Sequence, residues 1–288
     1  MAAGKRLAPV AANDDTGAVT DAIRADVASA GITLAGYRWE GDPARTVVLL
    51  HAGVCDSRSW QRVAPALTDL AGLWAYDRPG FGDTPPTADS RDHVADAVAF
   101  LDANVTGPAW LVGSSAGGAV ALDIALVRPD KVAGLVLLAP AITGAPDPTL
   151  NMREQQLGGL IDRATQAGDL AEANRYEVWF WLDGPEQPEG RVGGPARLLA
   201  LDMNRAILTH GEGGVFDESV DAWNRLNELS IPVTVAVGEY DATFVCGQAR
   251  QLAAGVTGAT FVDLHYSAHL PYLDVPEQVI RTVQAALH

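Results

Sequence analysis

A serine flanked by glycines is the feature of the sequence that most directly suggests chemistry. Residues 113–117 read Gly-Ser-Ser-Ala-Gly; they follow the apolar run 110–112 and precede a helical pattern that starts at Gly118. This strand, turn and helix context is that of a nucleophile elbow, in which a strained turn lifts the central side chain clear of the sheet. Ser115, the central residue, is therefore the predicted nucleophile, and Ser114 lies on the strand side of the turn.

A serine hydroxyl is a poor nucleophile at neutral pH, so this chemistry needs a histidine base and a carboxylate that orients the base. Asp241 follows the apolar run 233–237, and His269 follows the next apolar run, at residues 259–264. The order serine, aspartate, histidine fits a nucleophile elbow, and reactive groups collect at the carboxyl ends of parallel strands. We predict His269 as the base and Asp241 as the acid, with Glu239 as a competing carboxylate.

A tetrahedral intermediate also needs hydrogen-bond donors for its oxyanion, usually two backbone N–H groups. Ala116 directly follows the predicted nucleophile, at the start of a helical pattern, and supplies one donor. The other is expected in the loop after the apolar run 47–50, where Gly53 is the first choice and Val54 the competitor. His51 lies in the same loop, but a histidine in such a turn more often makes a structural hydrogen bond than acts as a base.

Short apolar runs separated by helical patterns supply the strands that would position these residues. Runs this short and this uniformly apolar are typical of parallel strands buried on both faces. The predicted strands are residues 32–39, 47–50, 73–76, 109–112, 135–138, 233–237 and 259–264. The alternation of strands and helices predicts an α/β fold with helices on both sides of the sheet.

The alternation stops between Leu138 and Pro232. A structureless loop of that length is implausible, so we predict a helical cap at residues 143–215, over the strand ends. Its helical patterns cover residues 157–173, 174–182 and 196–208, separated by Gly- and Pro-rich breaks at residues 183–195 and 211–214. The core is then expected to comprise residues 31–142 and 216–288.

Aromatic residues concentrate at residues 176–181 of the predicted cap, and large rings line apolar pockets well. Trp179 and Trp181 are therefore candidate substrate contacts, together with Val54 and Leu270 beside the predicted catalytic residues. Packing within the cap explains the rings equally well, and an ideal helix cannot turn two consecutive side chains inward.

The first 30 residues are predicted to be an N-terminal extension. Residues 1–16 are typical of a flexible tail, whereas Val19, Ile23 and Val27 recur at a spacing of four and indicate a short amphipathic helix. An interpretation of the chain as a structural protein that dimerises through this helix depends on that pattern alone.

Several motifs together resemble the α/β-hydrolase fold superfamily, from about Ile32 to the end of the chain. They are LLHAG at residues 49–53, YDRPGFGDT at 76–84, LVGSSAGGAVAL at 111–122, GEYD at 238–241 and AHLPYLDVPEQV at 268–279. The resemblance implies an eight-stranded, mostly parallel sheet with a helical cap inserted after the sixth strand, and no cofactor. It assigns the triad and the oxyanion donors to Ser115, Asp241, His269, Gly53 and Ala116. Ala52 departs from the pattern, because many members have glycine there.

The serine narrows the chemistry that this resemblance implies. Dehalogenases and epoxide hydrolases of the superfamily place an aspartate at the elbow to attack sp³ carbon, so Ser115 argues against both. We predict a cofactor-free serine hydrolase that cleaves a small, mainly apolar carboxylic ester or lactone through an acyl-enzyme. The same triad also serves carbon–carbon bond hydrolysis, haloperoxidase or perhydrolase activity, and acyl transfer, and a non-catalytic small-molecule receptor is a further alternative.

Composition and charge exclude other classes. The 288 residues are 48% hydrophobic and 19% charged, as in an ordinary globular protein. A formal net charge of −16 repels phosphate backbones and anionic lipids, so we expect a small-molecule substrate, no nucleic acid or membrane partner, and a monomer or homodimer. Cys55 and Cys246 form neither a disulfide framework nor a zinc motif, and no metal is expected. No apolar stretch suits a signal peptide or a membrane span, which favours a cytoplasmic protein.

Overall fold

The computed structural model describes residues 21–87, 91–210 and 220–288. Its strands are Ile23–Arg24 (β1), Val27–Ser29 (β2), Ile32–Leu34 (β3), Gly36–Trp39 (β4), Thr46–Leu50 (β5), Gly72–Tyr76 (β6), Ala109–Ser114 (β7), Val132–Leu138 (β8), Val233–Gly238 (β9) and Thr260–Leu264 (β10). Within these ranges eight strands form one sheet in the order β1-β4-β6-β5-β7-β8-β9-β10. The five pairs along β6-β5-β7-β8-β9-β10 are parallel, whereas β4 pairs antiparallel with both β1 and β6. The predicted eight-stranded, mostly parallel sheet is confirmed.

Helices cover both faces of this sheet. The α-helices of the described ranges are His93–Asn104 (α1), Ala116–Val127 (α2), Met152–Gln166 (α3), Leu170–Val178 (α4), Gly194–His210 (α5), Thr243–Gly255 (α6), Pro271–Asp274 (α7) and Pro276–Leu287 (α8). Side chains of α1, α2 and α6 share one buried cluster with the sheet, and side chains of α8 share the other. The predicted α/β architecture is therefore present.

The uniformly apolar runs of the sequence are explained by burial on both faces of the sheet. In β5, Val48 and Leu50 belong to the cluster of α1 and α2, whereas Val47 and Leu49 belong to the cluster of α8. Successive side chains of a strand point to opposite faces, so a strand covered on both sides is apolar at every position. Helix α8, by contrast, is buried on one face, because its buried residues recur mainly at spacings of three and four.

The helices α3, α4 and α5 follow β8, which is the sixth strand of the main sheet in chain order. This placement is consistent with the predicted cap, whose boundaries stay a prediction; the break at 211–214 lies outside the described residues. The pattern at 157–173, predicted as one helix, is divided between α3 and α4. Gly168, with φ of 70°, ends the first helix, and Asp169 caps the second by accepting the Glu172 N–H at 3.1 Å.

The predicted N-terminal helix is wrong for the residues that the structure describes, while Val19 and the predicted tail lie outside them. Ile23 is in β1, an edge strand of the main sheet, and Val27 is in β2, which pairs with β3. Ala30 and Gly31 connect β2 to β3 with φ of 40° and 85°. Two consecutive positive φ values are typical of a tight hairpin turn. The helix was predicted from the spacing of apolar residues, and this spacing carries no information about such a turn.

Residues 32–39, predicted as one strand, form β3 and β4, which belong to different sheets. The interruption precedes Gly36, where a Cβ would come within 2.8 Å of Phe100 Cε2. The glycine therefore lets β4 start against α1 without a steric clash.

Candidate active site

The bend between β7 and α2 holds Ser115 in a strained backbone conformation, with φ of 50° and ψ of −118°. A residue with a side chain rarely adopts positive φ, and such strain persists only where surrounding contacts stabilise it. The Ser115 N–H donates to the Leu138 carbonyl at 3.0 Å. The Ser115 carbonyl accepts from the N–H groups of Gly118 at 2.8 Å and Ala141 at 3.0 Å. Contacts from β8 and α2 therefore stabilise the turn that carries the predicted nucleophile.

The glycines on the two sides of this bend allow main chains to approach closely. A Cβ at Gly113 would lie 2.8 Å from Gly118 Cα, and a Cβ at Gly117 would lie 2.7 Å from the His51 carbonyl oxygen. Neither space can accept a side chain without moving the backbone. The two glycines therefore let α2 begin directly against the ends of β5 and β7.

His269 and Asp241 form a buried hydrogen-bonded pair. His269 Nδ1 lies 2.9 Å from Asp241 Oδ2 and 3.2 Å from Oδ1. Because a carboxylate only accepts, Nδ1 carries the hydrogen and Nε2 is left to receive a proton. The Ala242 N–H donates to Asp241 Oδ1 at 2.7 Å and so orients the carboxylate. The side chains of the pair are only 5% and 1% exposed, respectively.

The loops after β9 and β10 bring this pair together. The Tyr240 N–H donates to the Ser267 carbonyl at 2.8 Å, which connects the loops directly. At Gly238 a Cβ would come within 2.7 Å of the Ser267 carbonyl carbon, so the backbones of the two loops are in contact there. Neighbouring parallel strands end at the same edge of the sheet, and this contact sets how the two loops face each other.

Glu239, the competing carboxylate, contacts a different histidine. Its Oε2 lies 3.1 Å from Nδ1 of the exposed His265, and this hydrogen bond lowers the pKa of Glu239. The side chain of His265 is 69% exposed. Of the two candidate acids, Asp241 is the one that contacts His269.

Ser115 and His269 line the same cavity. No direct hydrogen bond joins these two described residues; what they share is the cavity wall. In proteins without bound substrate, catalytic hydrogen bonds are often long and shorten only when the reacting complex forms. A strained serine and an imidazole that a carboxylate orients therefore lie on the wall of the same cavity.

The two predicted oxyanion donors lie opposite each other at the mouth of the bend. Ala116 is the first residue of α2, where N–H groups have no carbonyl partner within the helix. A Cβ at Gly53 would lie 3.9 Å from Ala116 Cβ, and both Gly53 and Val54 line the cavity. Gly53 and Val54 therefore both stay candidates for the second donor.

His51 is engaged in hydrogen bonds within the core. Its Nε2 accepts the Arg78 N–H at 3.1 Å, and its Nδ1 lies 2.9 Å from the Ala52 carbonyl. Burial, and next the charge of Arg78, keep the pKa of His51 well below its usual value. An imidazole that is neutral and uses both nitrogens in this way has a structural role, in agreement with the expectation from the sequence.

The cavity at the bend has a volume of about 480 Å³, within the range of small-molecule sites. It lies between the strand ends and the cap helices. Its lining among the described residues is Gly53, Val54, Ser115, Thr165, Glu177, Trp181, Asn204, Ile207, Leu208 and His269. Apolar side chains from α5 and the aromatic ring of Trp181 thus share the wall with several polar side chains.

Of the four predicted substrate contacts, Val54 and Trp181 line this cavity, whereas Trp179 and Leu270 do not. The Trp179 indole N–H donates to the Gln187 carbonyl at 2.8 Å, so this ring packs within the cap. Leu270 is buried immediately before α7. Residues Trp179–Asp183 form a π-helical turn, whose wider spacing gives successive aromatic side chains different environments.

Three polar lining residues, Thr165, Glu177 and Asn204, were not predicted from the sequence. Each comes from a different cap helix, and single polar residues in an amphipathic pattern give no signal that separates an inward position from an exposed one. Only the position of Glu177 within the aromatic stretch at residues 176–181 could have suggested it.

The cap contacts the core beside both members of the Asp–His pair. The Trp181 carbonyl accepts the His269 N–H at 3.1 Å, and the two rings lie 4.5 Å apart between centroids. Glu154, which is fully buried in α3, accepts from both the N–H and the hydroxyl of Thr243, two residues after Asp241. The helices α3 and α4 and the turn after them therefore contribute to the placement of the loops that carry Asp241 and His269.

Both cysteines are free thiols, and burial raises the pKa of Cys55 to about 12 and of Cys246 to about 11. In the part of the chain that the structure describes, no group of three or more histidine, cysteine or carboxylate residues is arranged to hold a metal ion. No helix in that part is long and apolar enough to cross a membrane.

A parallel sheet with a strained serine bend near its centre and an aspartate–histidine pair at its edge is the architecture of α/β hydrolases. The sequence profile of the alpha/beta hydrolase family matches residues 47–282, which is more than half of the chain. The chain therefore belongs to the alpha/beta hydrolase family. The resemblance and the hydrolase class predicted from the sequence are confirmed.

Among curated relatives, the pimeloyl-(acyl-carrier protein) methyl ester esterase of Neisseria meningitidis serogroup C is 28% identical over 241 residues, which cover 82% of this chain and 91% of the relative. A thermophilic esterase from Thermogutta terrifontis has a TM-score of 0.70 at 23% identity and covers 92% of this chain and 98% of its own. A structure described as an N-acyl homoserine lactone degrading enzyme has a TM-score of 0.66 at 21% identity, covering 91% and 99%. At this level of identity, the structural likeness shows the shared fold.

Proposed function

We propose that this chain is a serine hydrolase that cleaves a small, mainly apolar carboxylic ester or lactone through an acyl-enzyme on Ser115. The observation that carries the proposal is the meeting, at one cavity, of the strained Ser115 and the imidazole of His269, which Asp241 orients. This combination activates a hydroxyl nucleophile without a cofactor.

The reaction would proceed in two halves. Ser115 Oγ bonds to the substrate carbonyl carbon while its proton passes to His269 Nε2, and the oxyanion accepts hydrogen bonds from the Ala116 N–H and from Gly53 or Val54. The alcohol then leaves with the proton from His269. In the second half, His269 removes a proton from water while the water oxygen attacks the acyl-enzyme; the bond to Ser115 Oγ then breaks, His269 returns the proton to Ser115 Oγ, and the acid is released.

The cavity and the relatives both support an ester or a lactone of modest size. Ile207, Leu208 and Trp181 give the cavity an apolar wall, and its volume of about 480 Å³ suits a small molecule. The Neisseria relative is named for methyl ester cleavage, and one structural neighbour is described as degrading a lactone. Both reactions begin with attack on an acyl carbon, which is the step that the proposal assigns to Ser115.

The test compares Ser115→Ala with Ser114→Ala on p-nitrophenyl acetate and on a panel of esters and lactones. We expect Ser115→Ala to lower turnover on the order of 10⁶-fold, by analogy with other serine hydrolases. Ser114 makes one long hydrogen bond to Tyr272 at 3.4 Å, so its loss is expected to leave most of the turnover. Undiminished hydrolysis by Ser115→Ala would refute the proposal.

A further inference from the structure

A buried arginine lies behind the loop that carries the candidate oxyanion donors. Arg78 is 4% exposed, and its guanidinium lies over the ring of Phe81, 4.7 Å from the ring centroid. Burial lowers the pKa of Arg78 to about 10, so the group stays charged at neutral pH. Its Nε–H is buried without an acceptor among the described residues, so this arginine is not fully occupied with structural hydrogen bonds. The contacts that it does make therefore indicate its role.

The guanidinium of Arg78 shares one acceptor, the carbonyl oxygen of Ala52, with two other donors. Its Nη2 donates to this oxygen at 3.1 Å. His51 Nε2 accepts the Arg78 N–H, so the hydrogen of the neutral imidazole lies on Nδ1, which donates to the same oxygen at 2.9 Å. The Cys55 N–H is the third donor, at 3.3 Å. Three donors, one of them cationic, therefore fix the direction of the Ala52 carbonyl.

The carbonyl of Ala52 and the N–H of Gly53 belong to the same peptide group. This peptide is trans, and in a planar trans peptide the N–H points opposite to the C=O. The carbonyl points to the buried side chains of His51 and Arg78, whereas Gly53 lines the cavity. Among the described residues, none accepts a hydrogen bond from the Gly53 N–H. This N–H therefore points away from the buried groups and is available to an oxyanion.

The corresponding peptide of Val54 lacks this support. The Val54 N–H shares its peptide with the Gly53 carbonyl, and no donor of the described residues holds that carbonyl. A peptide whose oxygen accepts from a cation becomes a stronger donor at its N–H, because hydrogen-bonded groups polarise one another. Donors oriented before the reaction stabilise an oxyanion most effectively. Of the two candidates, Gly53 is thus the one that is both oriented and polarised.

We propose that Arg78 is a positioning residue, which fixes and strengthens the Gly53 N–H as the second oxyanion donor through the Ala52 carbonyl. The inference rests on the proposed function, because the oxyanion forms only when Ser115 attacks an acyl carbon. Arg78 does not line the cavity, so it acts one peptide group away from the substrate.

The experiment compares p-nitrophenyl acetate with its thiono counterpart, in which sulfur replaces the carbonyl oxygen. Sulfur is a weak hydrogen-bond acceptor, so the ratio of kcat/KM for the oxygen ester to kcat/KM for the thiono ester measures the contribution of the oxyanion donors. Both values come from one preparation, so the ratio does not depend on the fraction of protein that is folded.

Arg78→Met keeps the length of the side chain but removes its charge and its donors. We expect kcat for the oxygen ester to fall on the order of tenfold with little change in KM, and the ratio to fall on the order of fivefold. Arg78→Lys keeps a cation and N–H donors, so its ratio should stay closer to that of the wild type.

The matched control is Arg91→Met. Arg91 is also buried, but it pairs with Asp96 and donates to the Ala30 carbonyl at 3.1 Å, away from the oxyanion loop. Its loss should lower stability and leave the ratio unchanged, which separates a general loss of stability from an effect on the oxyanion.

A wild-type ratio in Arg78→Met overturns the inference, whatever the stability of the variant. An equal fall of the ratio in Arg78→Met and Arg78→Lys overturns it as well, since the charge and the donors would then not matter. Ser115→Ala distinguishes the two proposals. Hydrolysis that persists in Ser115→Ala refutes the proposed function, whereas Ser115-dependent hydrolysis with an unchanged ratio in Arg78→Met refutes only the role of Arg78.

Discussion

The imidazole of His269 can take a proton from a serine only in the tautomer that carries its own hydrogen on Nδ1. Asp241 selects this tautomer through the contact at 2.9 Å, and the Ala242 N–H in turn selects the position of the carboxylate. At the scale of single residues, the proposed catalysis therefore depends on which group donates and which accepts at each hydrogen bond of the Ala242, Asp241 and His269 series.

This dependence predicts the effect of an isosteric change. Asp241→Asn keeps the shape of the acid but can donate to Nδ1, which stabilises the wrong tautomer, so kcat/KM for ester hydrolysis should fall by roughly 10⁴-fold. Glu239→Gln is the matched control, because Glu239 contacts the exposed His265. Steady-state kinetics on one ester would measure both. A large loss in Glu239→Gln with a small one in Asp241→Asn would contradict the assignment of the acid.

At this scale the sequence indicated the residues that motifs mark and missed those that only packing places. Ser115 and Asp241 each follow a buried strand, where the end of the strand identifies the position. Glu177 and Asn204 lie on cap helices that lack any such marker, and their meeting depends on how α4 and α5 pack. Trp181 lines the cavity and Trp179 does not, because both lie in a π-helical turn that gives their side chains different environments.

At the scale of elements, the bend between β7 and α2 is shaped by backbone contacts that leave no room for side chains. A Cβ at Gly117 would lie 2.7 Å from the His51 carbonyl oxygen and closer still to that of Leu50. The tightness of this junction, rather than the identity of the serine, is what forces positive φ at Ser115.

We expect Gly117→Ala to lower the free energy of unfolding by about 3 kcal/mol or more, because the helix must move away from β5. Gly158→Ala is the matched control: it lies within α3 with no atom within 4 Å of the added Cβ, and should raise stability by about 0.5–1 kcal/mol. Urea unfolding of both variants measures the difference. Equal stabilities would show that the close approach at Gly117 is relieved without cost.

The elements of the core were largely predictable and those at its margins were not. The central strands are buried on both faces, so their apolar runs have a single interpretation, as in β5 and β9. At the N-terminus, apolar residues at a spacing of four also fit two short strands joined by the Ala30–Gly31 turn, and pairing with β3 and β4 decided between the alternatives. Between α3 and α4, the pair Gly168–Asp169 marked the break, but the apolar pattern continued across it.

At the scale of the whole molecule, folding stability is linked to pH through buried histidines. Burial, and next the charge of Arg78, lower the pKa of His93 to about 4, and the same two causes lower that of His51. Between pH 6.5 and 4, an unfolded chain binds protons at these positions while the folded chain does not. The free energy of unfolding therefore decreases as pH falls through this window.

His93→Gln should make this decrease shallower by up to about 1.4 kcal/mol per pH unit, and by roughly 3 kcal/mol over the whole window. His288→Gln is the control, because the last residue is exposed. Urea unfolding at several pH values between 4 and 6.5 provides the slopes, and carboxylates that titrate in both proteins cancel in the comparison. Identical slopes for His93→Gln and wild type would exclude a buried, neutral His93 in the folded protein.

The contact between the Trp181 carbonyl and the His269 N–H has a consequence for how substrates enter and products leave. A cap that moved away as a rigid lid would pull on the backbone of His269 and disturb the proposed proton transfer at every turnover. Passage is compatible with an intact relay only where cap helices separate from one another while the Trp181 turn stays seated on the core. Substrates would then enter through a seam between cap helices, and the backbone contact that holds the imidazole would stay in place.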